Sequence, residues 1–146
     1  MTQEEKSLLL RDLCTRLPYS TLCYCKWTKD APNGTSGCVQ EVSTYLLEEL
    51  MVIGDQNYEC QICEIKPFLR SMSSMTEKEK KEFYNVIKER CDYDGIHLIG
   101  NEGGYIIHYS WINKCIDWLN IHHFDYCGLI PMGLALESPE EIYNLK

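Results

Sequence analysis

The first 18 residues constrain the fold most, because they contain both the start and the stop of a helix. Thr2 and Glu5 form a capping box, in which the Thr hydroxyl and the Glu carboxylate each satisfy a free backbone N–H group. Apolar residues then recur at helical spacing until Pro18, and they are Leu9, Leu10, Leu13, Cys14 and Leu17. The pattern predicts a helix over residues 3–16.

The following segments change to the alternation of apolar and polar residues that is typical of strands. The segment of residues 22–27 is short and contains aromatic residues. Residues 39–45 and 58–63 alternate apolar with polar side chains, and turn-forming residues separate the segments. Such segments predict an antiparallel meander. Residues 44–53 fit a helix capped by Ser43 almost equally well, and we favour strands there by a narrow margin. Residues 66–70 are expected to be extended, since the residue before a proline avoids the helical region.

Two more helices are expected in the second half. Thr76 and Glu79 form another capping box, which opens a helix that runs to about residue 89 with Phe83, Val86 and Ile87 on one face. Ser110 caps a third helix, which ends near residues 122–123 and whose inner face carries Trp111, Ile112, Cys115, Ile116 and Leu119.

A hairpin is expected between these helices, with residues 96–99 pairing with residues 105–108 across a Gly-rich turn. With 146 residues and no repeats or linker, the chain is predicted to be a single α+β domain over residues 1–146. The predicted fold is a short-stranded antiparallel meander, either an open sheet or a small barrel, packed against about three helices.

The charge of the chain argues against polyanionic partners. Its net charge is −8, with 14 Lys and Arg residues against 22 Asp and Glu residues. Binding to nucleic acid or to an anionic membrane depends on clustered cations. Neither partner is expected, and the acidic surface is expected mainly to keep the protein in solution.

The cysteines are expected to stay reduced. The N-terminus lacks the pattern of a signal peptide, and no apolar run approaches the roughly 18 residues of a membrane span. A cytoplasmic location is therefore predicted. Nine cysteines, an odd number, argue against a disulfide framework in such a compartment, and most are expected to act as small core residues.

No sequence motif assigns a metal, a cofactor or a catalytic residue. Cys60 and Cys63 form a C-x-x-C in a predicted strand, where residues three apart point to opposite faces. The second pair, Cys23-x-Cys25, has the wrong spacing for a zinc knuckle. His122 and His123 are adjacent on a helix and would point about 100° apart, so they are not expected to share an ion. One is expected to pack inward and the other to bond at the helix end.

The enzyme hypothesis depends on a small group of residues. Cys127 follows the two histidines in sequence and is the thiol that we would test for reactivity, and His123 with Asp125 is the corresponding acid–base pair. Because no known catalytic spacing accompanies them, we expect a non-enzymatic protein.

The aromatic content provides the best indication of a binding site. Ten tyrosines and three tryptophans offer the rigid, amphipathic area that interfaces and ligand pockets use. An arginine such as Arg16 or Arg70 would be needed for an anionic ligand. The predicted binding residues are Tyr24, Trp27, Tyr58, Arg70, His123 and Tyr126.

Three segments in the same order resemble a family of short uncharacterised proteins from phages and prophage-like elements of gut anaerobic bacteria. They are MTQEEKSLLLRDLCTRLPY, IKPFLRSMSSMTEKEKKEF and IDWLNIHHFDYCGLIPMGLALE, which together cover roughly half of the chain. The resemblance implies a bacterial cytoplasm during infection or lysogeny. It implies no function and no site residues.

Three hypotheses follow from the sequence. The leading one is a phage-type accessory protein that binds a host or phage protein through an aromatic-rich surface. The second is a protein that binds or sequesters a small ligand, such as a nucleotide signal. The third is either an enzyme that depends on Cys or His, or a zinc-binding protein. The sequence leaves the oligomeric state open.

Overall fold

Four helices and a four-stranded sheet account for most of the described chain. The structure is a computed structural model. It describes residues 1–27, 37–55, 61–88, 96–99, 104–107, 110–139 and 141–143, and at residues 88, 96–99, 104–107, 110 and 111 it describes the backbone only. The helices are α1 (Gln3–Arg16), α2 (Thr44–Val52), α3 (Glu77–Lys88) and α4 (Ser110–Ile121), with short 3₁₀ turns at Leu17–Tyr19 and Met72–Ser74. The strands are β1 (Leu22–Trp27), β2 (Gly37–Glu41), β3 (Ile62–Leu69), β4 (Ile96–Ile99), β5 (Gly104–Ile107) and β6 (Leu136–Glu137).

The main sheet is open and mixed, in the order β2-β1-β3-β6. Strand β1 pairs antiparallel with β2 and with β3, whereas the short β6 pairs parallel with β3. The predicted α+β class is confirmed, and of the two alternatives the open sheet is correct. Strands β4 and β5 form the predicted hairpin as a separate two-stranded sheet.

One face of the sheet forms the main core. The side chains of Cys23 and Cys25 are buried on the same face of β1, and they meet Leu9 and Leu13 of α1 and Leu46 and Leu50 of α2 in one cluster. A second cluster under α3 and α4 contains Met75, Leu119 and Phe124. The two capping boxes predicted at Thr2 and Thr76 are both present.

The prediction of strands at residues 44–53 is wrong, because this segment forms helix α2. Ser43 accepts a hydrogen bond from the Leu46 backbone N–H at 3.4 Å and so caps the helix. Leu46 and Leu50, four residues apart, are both fully buried, as expected for one face of a helix. The Ser43 cap and the four-residue spacing of the buried leucines outweigh the apparent alternation of apolar and polar residues. Strand β2 accordingly ends at Glu41, before the helix.

Strand β3 is longer than the predicted segments. Residues 56–60 lie outside the described residues, so the predicted strand at 58–63 is observed only from Ile62 onward. The predicted extended segment at 66–70 belongs to the same strand up to Leu69, followed by a bridge between Arg70 and Phe124. Glu49 of α2 fixes the start of β3, since its carboxylate accepts the backbone N–H groups of Gln61 and Ile62 at 3.1 and 3.2 Å.

A buried ion pair connects helix α1 to the turn that follows α4. The side chains of Asp12 and Arg16 are both 0% exposed. The Arg16 Nε and Nη2 atoms donate to the two Asp12 carboxylate oxygens at 2.6 and 3.0 Å, and Nη2 also donates to the Phe124 carbonyl at 2.9 Å. The Arg16 Nη1 atom is buried without a hydrogen-bond partner. The guanidinium lies 5.0 Å from the centre of the Tyr126 ring.

We predict that Asp12→Ala will lower the free energy of unfolding by about 3–5 kcal/mol, because the substitution leaves the Arg16 charge buried without its partner. Urea denaturation followed by circular dichroism measures the change. The control is Lys80→Ala, which removes an exposed pair with Glu77 and should change stability by less than about 1 kcal/mol. Equal losses in the two variants would show that the buried pair has no special role.

Candidate functional site

A cleft of about 1080 Å³ lies where the end of α1, the end of β3, the end of α4 and the C-terminal segment meet. Its lining combines rings, hydroxyl groups and aliphatic side chains, as ligand pockets commonly do. The lining residues are Pro18, Tyr19, Ser20, Leu22, Arg70, Ser74, Thr76, Ile121, His122, His123, Glu137, Ser138, Pro139, Ile142 and Tyr143.

The C-terminus of α4 supplies two histidines to the cleft in different roles. His123 has φ +56°, in the left-handed region, and its backbone N–H donates to the Asn120 carbonyl at 3.0 Å. This conformation ends the helix and separates the two rings. His123 is buried, and its ring stacks on Tyr143 with centroids 3.6 Å apart. As predicted, one histidine packs inward and its neighbour bonds at the helix end.

His122 has one ring nitrogen left for a ligand. Its ring stacks on Trp118 with centroids 3.9 Å apart, and its Nδ1 lies 2.8 Å from the Trp118 carbonyl oxygen. Because a carbonyl oxygen only accepts, Nδ1 carries the hydrogen. When the ring is neutral, this tautomer presents Nε2 as an acceptor. Among the described residues that line the cleft, His122 thus offers a fixed ring with one unused nitrogen.

Tyr143 closes the wall beneath His123. Its hydroxyl donates to the Phe68 carbonyl at 2.6 Å and accepts the Leu22 backbone N–H at 3.3 Å, so it bridges β3 and β1. Burial raises the pKa of Tyr143 well above its ordinary value, and the phenol is neutral at physiological pH. The ring is thus held by both strands and by the stack on His123. It provides a rigid apolar surface.

Arg70 lies in the cleft wall with its charge already compensated. Its Nη1 and Nη2 donate to the two Glu79 carboxylate oxygens at 2.7 and 3.1 Å. The guanidinium also lies 4.4 Å from the Phe124 ring centroid. Hydrogen bonds from Arg70 hold the pKa of Glu79 at about 2, below its ordinary value. A ligand phosphate would have to compete with Glu79 for this arginine.

The five predicted binding residues that the structure describes lie in four different places. Arg70 and His123 both line the cleft and are joined by a backbone hydrogen bond of 2.8 Å from the Arg70 N–H to the His123 carbonyl. Tyr24 lies half-buried on the outer face of the sheet, where its ring lies over Gly37 of β2. Trp27 packs against the main core, Tyr126 packs beside Phe124, and Tyr58 is outside the described residues. Arg16, suggested for an anionic ligand, is fully buried and does not line the cleft.

The residues suggested for catalysis have other partners. Burial, with Asp12 acting in the same direction, raises the pKa of Cys127 to about 11, which disfavours the reactive thiolate. The two Asp125 carboxylate oxygens accept the backbone N–H groups of Leu129 and Ile130, each at 2.8 Å, and so fix a turn. Cys60 of the C-x-x-C lies outside the described residues. Within the described ranges, no group of three or more His, Cys, Asp or Glu side chains is arranged to hold a metal ion.

Sequence reasoning missed His122 and Tyr143 as lining residues. The spacing of four between Trp118 and His122 is a detectable signal for the stack, since such residues are neighbours on a helix surface. Tyr143 lies in a short polar segment, and no local pattern links it to β1 and β3. Its position depends entirely on tertiary contacts.

No protein-family model, curated protein or solved structure matches this chain. In the part of the chain that the structure describes, every helix is too short or too polar to cross a membrane.

We predict that the Arg70–Glu79 pair makes stability depend on pH in the acidic range. Because the folded-state pKa of Glu79, about 2, is below that of an unfolded glutamate, about 4.3, the stabilisation is present above pH ~4.3 and is lost as the pH falls through ~2. The stability deficit of Glu79→Gln should be largest at neutral pH and shrink towards pH 2. Urea denaturation at pH 7, 4 and 2.5 measures it.

Glu64→Gln is the control, since Glu64 pairs with Lys66 while 40% exposed. Its deficit should be small at each pH. A Glu79→Gln deficit that stays constant with pH would contradict the role of the ion pair.

Proposed function

We propose that the protein is a non-enzymatic small-ligand binding protein and that the cleft is its ligand site. The observation that carries the proposal is His122, whose ring is fixed by Trp118 and whose Nε2 is unused. A fixed acceptor in a cleft that the stacked Tyr143 and His123 rings also line suits a planar ligand that donates a hydrogen bond.

The charges of the cleft favour an uncharged ligand over a phosphorylated one. Arg70 is the only Arg or Lys among the described lining residues, and both of its terminal nitrogens bond to Glu79. Glu137 adds a negative charge at the lining. We therefore propose a nucleobase or nucleoside class of ligand rather than a nucleotide signal, with an exocyclic amino or ring N–H group donating to His122.

Two features support a binding role over a catalytic one. The Cys127 thiol has a pKa of about 11, and the Asp125 carboxylate is used to hold backbone N–H groups. The resemblance to a phage and prophage family gives the setting that we propose, a bacterial cytoplasm in which sequestering a small molecule would alter host metabolism or signalling.

The proposal predicts that Ile121→Trp will weaken nucleoside binding at least about tenfold, which corresponds to about 1.4 kcal/mol. Ile121 lines the cleft and is 56% exposed, so a larger side chain can fill the cleft without disturbing the core. Isothermal titration calorimetry with adenosine, guanosine, cytidine and uridine, and with their 5′-monophosphates, gives the affinities. The matched control is Met51→Trp on α2, which is 60% exposed and outside the cleft lining.

A second variant tests the acceptor directly. His122→Phe keeps an aromatic ring against Trp118 but removes Nε2, and it should weaken binding while the protein stays folded. Tighter binding of the monophosphates than of the nucleosides would contradict the uncharged ligand. Failure of all eight compounds to bind at millimolar concentration would contradict the proposal itself.

A protein partner is the second candidate function, and the outer face of the sheet favours it. Tyr24 and Val39 face each other across β1 and β2, and Val39 is 51% exposed. Among the described strands, β2 is also at one edge of the sheet. An aromatic residue beside an exposed aliphatic residue at a sheet edge is suited to a protein interface.

We predict that Val39→Glu will abolish capture of such a partner, because it places a charge beside Tyr24 on this face. Affinity purification from a bacterial lysate, followed by mass spectrometry, compares the variant with the unmodified protein. Tyr84→Glu on α3, where Tyr84 is 61% exposed, is the control and should retain the partner. A partner that survives Val39→Glu would bind elsewhere.

A further inference from the structure

Strands β1 and β2 place two cysteines directly opposite each other. Cys25 and Cys38 are Cα partners in the antiparallel register. Opposed residues in such a ladder have Cα atoms about 4.5–5.5 Å apart and project their side chains to the same face. A disulfide requires a Cα separation of about 4.4–6.8 Å. Both cysteines are free thiols, so the backbone already has the spacing that a disulfide needs.

The other described cysteines do not share this arrangement. Cys23 faces Gln40 on one side and Pro67 on the other. Cys63 is exposed on β3 and lies opposite the irregularity between Lys26 and Trp27, where its thiol donates to the Lys26 carbonyl at 3.4 Å. Within the described strands, the register brings one pair of cysteines face to face.

The two thiols of the pair differ in accessibility. Cys25 is fully buried, whereas Cys38 is half-buried. The Trp27 indole N–H donates to the Cys38 sulfur at 3.4 Å and orients it. An external reagent will therefore reach Cys38 before Cys25, and Cys25 is positioned to attack the Cys38 sulfur once that sulfur carries a mixed disulfide.

We propose that Cys25 and Cys38 form a reversible cross-strand disulfide by exchange with a low-molecular-weight disulfide. In the first step the Cys38 thiolate attacks the reagent RSSR, a Cys38–S–SR bond forms, and one RS⁻ leaves. In the second step the Cys25 thiolate attacks the Cys38 sulfur, the Cys25–Cys38 bond forms, and the second RS⁻ leaves. The two leaving thiolates take up the two protons that the cysteines release, so two protein thiols are oxidised and RSSR is reduced to two RSH.

The burial of Cys25 determines which step is slow. Burial, with the facing Cys38 thiol acting in the same direction, raises the pKa of Cys25 to about 11. Only a small fraction of Cys25 is thiolate at neutral pH, so the mixed disulfide on Cys38 should accumulate before the internal bond forms. The rate of the second step should rise about tenfold per pH unit between pH 7 and 9.

The test treats the full chain with bis(2-hydroxyethyl) disulfide, alkylates the remaining thiols and maps the peptides by mass spectrometry. The expected product links the peptide that contains Cys25 to the peptide that contains Cys38, with a mass about 2 Da below the sum of the two peptides that carry the alkyl groups only on their other cysteines. Fragment ions separate Cys25 from Cys23 and Cys38 from Cys60 and Cys63, since these cysteines share the two tryptic peptides. Reduction with dithiothreitol should release the link.

Two variants provide the controls. Cys25→Ala should leave a stable mixed disulfide on Cys38, whereas Cys23→Ala should still form the link, and circular dichroism verifies that both remain folded. The proposal is overturned if the unmodified protein keeps the mixed disulfide on Cys38 at pH 9 or if the link involves Cys23. The map of the unmodified protein decides the matter even where a variant does not fold.

Discussion

The buried pair of Asp12 and Arg16 joins helix α1 to the turn that follows α4. Removing two charges from water costs several kcal/mol per ion, and only good geometry with further hydrogen bonds compensates for it. Here the guanidinium binds both oxygens of the Asp12 carboxylate. Arg16 also donates a hydrogen bond to the carbonyl of Phe124, which is 108 residues away in sequence. This charge-assisted hydrogen bond joins two segments that are far apart in sequence, and it fixes the turn after α4 relative to α1. The cleft lies beside this connection.

Arg70, which directly follows β3, also holds the turn after α4. The Arg70 N–H donates to His123 and the Arg70 carbonyl accepts from Asp125, both at 2.8 Å, while the Arg70 side chain packs over the Phe124 ring. These contacts stabilise a non-glycine residue, His123, in the left-handed region, which costs roughly 1–2 kcal/mol. Because of that conformation, adjacent histidines stack on different partners, Trp118 and Tyr143.

The parts of the fold that could be predicted from sequence are those fixed by local chemistry. The capping boxes at Thr2 and Thr76 and the stop at Pro18 depend on neighbouring residues, and the helices that they define are observed. Helix α2 was missed because Thr44–Val52 fits two periods, and burial of Leu46 and Leu50 against the sheet decides between them. Strand β2, which is half-buried, ends at Glu41, two residues before the Ser43 that caps helix α2.

The cleft could be predicted only in part, for a related reason. Arg70 and His123 were singled out by residue type, and the fold brings them together through β3 and α4. Tyr143 could not be found, since no periodicity connects it to the β1 and β3 backbone groups that it bonds. Trp27 and Tyr126 were predicted to bind a ligand or partner, but they pack against the two hydrophobic clusters. Large aromatic side chains serve core packing as readily as binding, so residue type alone does not separate the two roles.

The chemical character of the cleft follows from how the fold neutralises its own charges. Arg16 is matched by Asp12, Arg70 by Glu79, and the Asp125 carboxylate by two backbone N–H groups. Each of these groups is committed to holding the cleft walls, so it is not free to recognise a charged ligand without loosening them. His122 differs, because one nitrogen is enough to fix its ring and the other is left over. Under the proposed function, the ligand would therefore be selected by shape, stacking and a hydrogen bond to a neutral group.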